Sequence, residues 1–494
     1  MSKLRQTLLA SGLPVALGSL LVLASVGAAF EPENVQDHQR ASEDSQGAET
    51  NEEALQDPPR RRRPEGGRPA GPAPAAAPAP PPQPEPKTEE ATKDAEPTWL
   101  AITNATVHTV VGPELINATV LCRDGKIFAV GQRVSVPESA KVIDGTGHHV
   151  YPGLIGMDSS NITGRGNPAD TTDVFDLTAT LARAAGLTTV VSGNTVAKLK
   201  NGTLEGLVLA SNVFEDIRYS TNQPRQRAEV RKGFEEARAF LRDVETFQQN
   251  RVEGERPPQE RDLSRNARSA LRLLRGQAKA QASASDTSTL IALAELAEQY
   301  GFEIVIRGVT EGWTVPERLA RAKMHAVVVP RDRSRFDERF NRPTGASIEN
   351  AAILTRHGIS VAVLPPGPYF GPGTAIGLSG LGGRDMLNIN MSAAFAARGG
   401  LSERDAVRTL TINPARMLGV DHRIGSIEVG KDADLIITDR PLLDYMMLVR
   451  YTIIDGEIAY DKDEEAIFSH IRPDGDMDAP APVDAWPRRL GAPW

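Results

Sequence analysis

The chain reads as an α/β protein with three parts: a TIM-like (β/α)8 barrel, a small β-sandwich composite domain built from both flanks, and a disordered N-terminal leader. Three observations predict this. Residues 152–412 alternate apolar strand runs with helical periodicity, the pattern of a parallel sheet covered by helices. That stretch is about 260 residues long, close to the ~250 typical of such a barrel. Short β-rich runs divided by turn residues lie on both sides of it, so one β-domain is completed from both ends.

The elements follow in chain order. Residues 1–30 carry Lys3 and Arg5 and then an uncharged apolar stretch ending in Gly27, Ala28 and Ala29. This is the pattern of an export signal peptide, or of an N-terminal anchor if uncleaved. Residues 31–97 are acidic and then Pro/Ala-rich, a composition too poor in large apolar groups to fold. They read as an extended spacer, with Arg60–Arg63 a solvated basic run.

Residues 98–151 form the first part of the composite domain. Leu100–Asn104, Val107–Val111, Ala118–Cys122 and Lys126–Gly131 are strand candidates in a small antiparallel sheet, and Arg123-Asp-Gly-Lys126 is a hairpin turn. Residues 413–464 supply the second part, and 465–494 are a tail. Within the barrel segment, strands are predicted at Tyr151–Met157, Thr188–Ser192, Phe302–Ile306, Ala326–Val329 and Ser360–Leu364. Helices are predicted at Val174–Ala185, Thr287–Tyr300, Thr314–Lys323 and Ser402–Thr411. Residues 226–275 interrupt the alternation. Phe234, Ala237, Leu241, Val244 and Phe247 recur there at helical spacing, which predicts a two-helix insertion with one apolar face.

Composition excludes several classes. A net charge of -8 gives no basic footprint for nucleic acid. The single cysteine, Cys122, excludes a disulfide framework and sits in an apolar strand as a buried, inert thiol. A small-molecule ligand and homo-oligomerisation fit the chain, and a membrane enters only through the N-terminal segment. The location expected from that segment is the periplasm or cell surface.

Four segments carry a family resemblance. They are Ile143-Asp-Gly-Thr-Gly-His-His-Val-Tyr-Pro-Gly-Leu-Ile155, Ala184-Ala-Gly-Leu-Thr-Thr-Val190, Leu410-Thr-Ile-Asn-Pro-Ala-Arg-Met-Leu-Gly419 and Ile424-Gly-Ser-Ile-Glu-Val-Gly-Lys-Asp-Ala-Asp-Leu-Ile436. In this order they resemble the first and second barrel strands, the last helix and the return to the β-domain of the amidohydrolase superfamily. The similarity points to its imidazolonepropionase-like, cyclic-amide hydrolase branch and covers about residues 99–462. It implies a metal-dependent-hydrolase barrel that cleaves non-peptide C–N bonds with zinc or another divalent metal at the C-terminal mouth. The metal would lower the pKa of bound water to ~7 and polarise the scissile carbonyl.

The residues at the implied ligand positions are poor ligands. The first His-x-His pair falls on Asp158 and Ser160. The next falls on Ser283 or Ser285, the following one near Arg307 or Gly308, and the late aspartate near Pro365 or Pro366. No histidine occurs between His149 and His325, so a small shift of alignment does not restore the set. His148 and His149 precede Asp158 by about nine residues, ~30 Å of strand, and point to opposite faces. His325, His357 and His422 read as surface or structural. Asp158, Asp170, Asp173, Asp176, Glu311 and Asp385 are the carboxylates that could form a substitute site, although Asp173 and Asp176 fit the cap of a helix starting at Val174. Residues 365–383 read as a Gly/Pro-rich lid that matches no phosphate loop.

The expectation is an exported, catalytically impaired amidohydrolase relative with no cofactor and a candidate pocket at Asp158, Ser160, Ser283, Gly308, Glu311, Pro365 and Asp385. Two alternatives stand beside it: an active hydrolase with a rearranged carboxylate site, and a cell-surface interaction or scaffold protein.

Overall fold

The computed structural model describes residues 97–159, 162–164, 166–250, 256–330, 334–337, 342–365 and 389–465. The leader, the tail and the lid segment beyond Pro365 lie outside these.

The chain opens with β1 (Trp99–His108), β2 (Glu114–Arg123) and β3 (Lys126–Gly131), paired antiparallel in sequence. The β2–β3 turn takes Asp124 and Gly125 to φ +48° and +78°, the left-handed conformations that an Asp-Gly hairpin supplies. β4 (Lys141–Asp144) and β5 (His149–Pro152) both pair parallel to β1. The purely antiparallel expectation therefore fails at these two strands. After the barrel, β17 (Leu435–Thr438), β18 (Val449–Ile454) and β19 (Glu457–Asp461) return. The result is one eight-stranded sheet in the order β19-β18-β17-β5-β1-β2-β3, with β4 beside β1. Cys122 is buried in its core, and burial pushes the thiol up to about 12.

The barrel strands lie in two groups. β6 (Leu154–Gly156) and β7 (Leu187–Ser192) are parallel, and β7 continues into an antiparallel ribbon of β8 (Thr195–Lys198) and β9 (Val208–Ser211). β10 (Phe214–Asp216), β11 (Lys279–Ser283), β12 (Ile304–Arg307), β13 (Met324–Val328) and β16 (Val361–Val363) form a parallel sheet. Two seams join the groups. Asn194, after β7, exchanges side-chain bonds of 2.6 and 2.8 Å with the Phe214 backbone. Opposite, Ile155 N–H donates to the Leu410 carbonyl at 2.9 Å and Val363 N–H to the Thr409 carbonyl at 3.4 Å. The segment at 409–410 thus bridges β16 and β6. A further hairpin, β14 (Ser334–Asp337) with β15 (Arg342–Gly345), follows β13.

Helices cover the strands: α1 (Pro168–Thr171), α2 (Leu177–Ala184), α5 (Thr287–Tyr300), α6 (Pro316–Arg321), α7 (Asn350–Arg356), α8 (Ile389–Arg398), α9 (Glu403–Arg408) and α10 (Ile412–Leu418). Asp176 caps α2 by accepting from Thr178 N–H at 3.0 Å, while Asp173 accepts from Phe175 N–H at 2.9 Å. The insertion is α3 (Pro224–Gln249) with α4 (Arg265–Leu274). Its Phe234 stacks on Tyr300 and Phe302, so the apolar face packs on the barrel. Among the described residues no helix is long and apolar enough to cross a membrane.

The barrel and the β-domain are joined by a buried charge cluster. Lys198, at the end of β8 and wholly buried, places its ammonium 2.7 Å from Asp432, 2.9 Å from Asp434 and 2.5 Å from Asp455. Lys126 and Arg423 also pair with Asp432, and Lys200 with Asp455 at 2.8 Å.

Candidate functional site

The C-terminal ends of the parallel strands bring together part of the predicted set. Asp158 follows β6, Ser283 ends β11, and Arg307 and Gly308 end β12. Ser283 lies opposite Arg307 in the β11–β12 register. The Arg307 guanidinium reaches the Asp158 carboxylate, crossing between strands on opposite sides of the ring. Both side chains are about a quarter exposed, at 22% and 24%. Burial raises the Asp158 carboxyl above its ordinary value, and Arg307 pulls it back only in part. The neighbouring Ser159 turns away and donates to the Val191 carbonyl at 2.7 Å.

The remaining positions separate. Ser283 is exposed, and Gly308 takes φ +72° and has no side chain. Pro365 is buried just after β16 and has no donor to give. Ser160 and Asp385 lie outside the described residues. Glu311, a candidate for a substitute carboxylate site, has a structural placement instead. One of its oxygens accepts from Thr287 N–H at 2.9 Å and Thr287 Oγ1 at 2.7 Å, and the other accepts from Gly345 N–H at 2.7 Å. It therefore ties the N-terminus of α5 to the β15 end. Asp170 sits in α1, hydrogen-bonded to the Asn167 amide at 3.0 Å. Among the described residues, no three His, Cys, Asp or Glu side chains stand together as a metal-holding group.

Among the described residues, this donor set does not suit a divalent metal. Asp158 already carries a guanidinium at the place where a cation would sit. The other described positions offer a serine hydroxyl, a glycine and a proline, none of which supplies the imidazole or carboxylate that zinc takes.

Sequence reasoning missed a second polar constellation, in the β-domain. His108, Glu114, His149 and Tyr151 meet beside a cavity of about 1000 Å³. The sequence signal was only that His108 lies within one β-rich run and His149 beside another, and strand pairing decides whether they touch. His325 sits at the N-terminal end of β13, 3.7 Å from Glu303.

The model of the amidohydrolase family matches residues 313–460. Imidazolonepropionase from Picrophilus torridus is 45% identical over 62 residues, 11% of this chain and 16% of that protein. The 5-methylthioadenosine/S-adenosylhomocysteine deaminase of Symbiobacterium thermophilum is 44% identical over 72 residues, 12% of this chain and 16% of that protein. The chain thus matches only a small part of the length of these relatives. An amidohydrolase structure from Thermotoga maritima superposes with a TM-score of 0.58 at 23% identity, covering 73% of this chain and 100% of that one, which establishes the shared fold. The family match over residues 313–460, these partial relatives and the shared fold together support an amidohydrolase-superfamily member similar to the imidazolonepropionases.

Proposed function

We propose that this protein is an exported amidohydrolase-superfamily member that no longer hydrolyses C–N bonds through a divalent metal, and that it serves as a binding or scaffold protein. The observation that supports it is the Asp158–Arg307 pair. A guanidinium placed against the one carboxylate left at the implied ligand positions meets the charge requirement that a metal would otherwise meet. It also repels a second cation from the same spot. Export rests on the composition of residues 1–30.

The test is elemental analysis of the purified full chain by mass spectrometry, before and after equilibration with zinc. The expected result is no stoichiometric zinc in either sample. A stoichiometric zinc content that Asp158→Asn removes, together with turnover of a cyclic amide, overturns the reading.

A further inference from the structure

Beside the barrel's other end lies a site that the mouth chemistry leaves unexplained. β1 ends at His108 and β2 starts at Glu114. The connection between them forces Val110, a β-branched residue, to φ +73°. Such a residue adopts this conformation only when its surroundings impose it. The imposing groups come from α9: Arg404 donates to the carbonyls of Val110, Val111 and Gly112, at 3.4, 3.1 and 2.9 Å, and Arg408 to that of Val110 at 3.1 Å. The strained loop forms one wall of the cavity of about 1000 Å³.

Along that wall run three stacked rings. His108 lies on Tyr151 with centroids 4.1 Å apart and planes 5° from parallel. Its Nε2 is 3.0 Å from His149 Nδ1. On the other side, Glu114 Oε2 stands 3.3 Å from His108 Nδ1. Burial and His149 hold the His108 imidazole down to about 4, so the ring is neutral at pH 7. The proton arrangement follows. A carboxylate only accepts, so the His108 proton belongs on Nδ1 and Nε2 accepts from His149 Nδ1–H. The His149 Nε2 lone pair is left as an acceptor at the cavity. The Tyr151 hydroxyl oxygen accepts the Leu442 N–H at 3.1 Å and keeps its own O–H to donate.

Charge and shape define what fits. Glu114, Glu403 and Asp444 line the cavity; Arg404, also in its wall, is committed to backbone carbonyls, and Arg440 stands 3.9 Å from Asp444. Met391, Val407 and Leu443 supply an apolar floor, and Tyr445, 78% exposed, stands at the rim. A ring face there attracts a cation.

We propose that this cavity is a binding site for an organic cation with an apolar body and an N–H donor, of the amidinium or ammonium class, held by His149 Nε2 and the surrounding carboxylates. The site does not depend on the state of the barrel mouth.

Calorimetric titration of the full chain with benzamidinium, benzamide and benzoate tests it. Benzamidinium is expected to bind saturably, benzamide about tenfold or more weakly, and benzoate not at all. His149→Phe keeps the ring and removes the acceptor, and is expected to weaken benzamidinium about tenfold or more, the effect of losing one hydrogen bond to a charged partner. Val407→Trp, which fills the floor from a different element, is expected to abolish binding. Should either variant lose the wild-type circular dichroism spectrum, Glu114→Gln, at the exposed start of β2, carries the same test with an expected weakening. Absence of saturable benzamidinium binding overturns the proposal. So does benzoate binding as tightly as benzamidinium, or affinity unchanged in the folded variants.

Discussion

Replacing Lys198 with Met should expose how the barrel is fastened to the β-domain. Asp432 keeps Lys126 and Arg423 in that variant, and Asp455 keeps Lys200. Asp434 is the residue left exposed to the loss. Its backbone partner is the Asp455 N–H at 2.9 Å, and burial already raises its carboxyl, with Lys198 the first influence opposing that rise. Removing one member of a buried pair costs ~3–5 kcal/mol. A second route sets a ceiling, since Asp434 can take up a proton. From an ordinary value of 3.8, this costs about 4 kcal/mol at pH 7 and about 2 kcal/mol at pH 5, at ~1.36 kcal/mol per unit.

Urea denaturation at both pH values, followed by circular dichroism, is the assay. In Lys198→Met the folded-state value of Asp434 lies above the unfolded one. The folded state then binds the proton more tightly, and the deficit shrinks as pH falls. The expected loss is about 3–4 kcal/mol at pH 7 and about half that at pH 5. Adding Asp434→Asn removes the stranded charge and should restore most of the loss at pH 7. A deficit under ~1 kcal/mol, a deficit independent of pH, or a double variant no more stable than the single one refutes the reasoning.

Three further outcomes follow from the same geometry. Burial alone would raise Asp432, but Lys126, Lys198 and Arg423 hold it well below its ordinary 3.8, at about 2. The corresponding ~2 kcal/mol of stability is present above about pH 4 and lost as pH falls toward 2, which acid titration of the unfolding midpoint will show. Glu311→Ala removes the acceptor for Thr287 and Gly345, and should lower stability by ~1–3 kcal/mol in calorimetry without changing metal content; a change in metal content would return Glu311 to the site. Gly399→Ala brings a Cβ to 2.0 Å from the Ile348 carbonyl oxygen, a backbone atom that cannot swing aside. The expected cost is ~1–3 kcal/mol in urea denaturation, and a neutral result would mean that the α8–α9 connection yields.

Local chemistry was legible in the sequence where it is decided locally. The Asp124-Gly125 turn, the Asp176 cap and the apolar stripe through Phe234 and Ala237 each depend on neighbours within a few residues. The parallel pairing of β4 and β5 with β1 was not legible, because strand order is fixed by what packs outside the strand. Nor was the β8–β9 ribbon, whose Thr195–Lys198 is too short and mixed to stand out. The site shows the same division. Asp158 could be found from its motif, but its partner Arg307 lies on a strand across the ring, and no periodicity encodes that meeting. His108 and His149 touch only because Thr106 pairs with His149 in a parallel register. Glu311 shows the same limit: it follows a barrel strand in the sequence, but only the structure shows Thr287 and Gly345 closing on it.

The segments that identify the family carry structural work in this chain, which accounts for a recognisable fold with an altered mouth. In Lys431-Asp-Ala-Asp-Leu435 the two aspartates receive Lys198 from the barrel. In Thr411-Ile-Asn-Pro-Ala415 the Asn413 amide donates to the Val361 carbonyl at 2.8 Å, fastening α10 to β16. Gly425, at φ +90°, passes so close to α10 that a Cβ would come within 2.8 Å of that of Ala415. The first and third join the barrel to the β-domain and the second fastens a helix to a barrel strand, so the loss of any of them would cost folding. The implied ligand positions lie at strand ends, and two of them place no side chain in the core. Ser283 is exposed and Gly308 contributes no side chain, so their identity affects folding weakly once no metal is held. Asp158 is the exception, since in a partly buried setting it needs a cation, and Arg307 supplies one without chemistry. On this argument Arg307→Met should destabilise the fold more than Ser283→His does. The opposite order would mean that the mouth still serves a ligand-binding role that the ion pair does not explain.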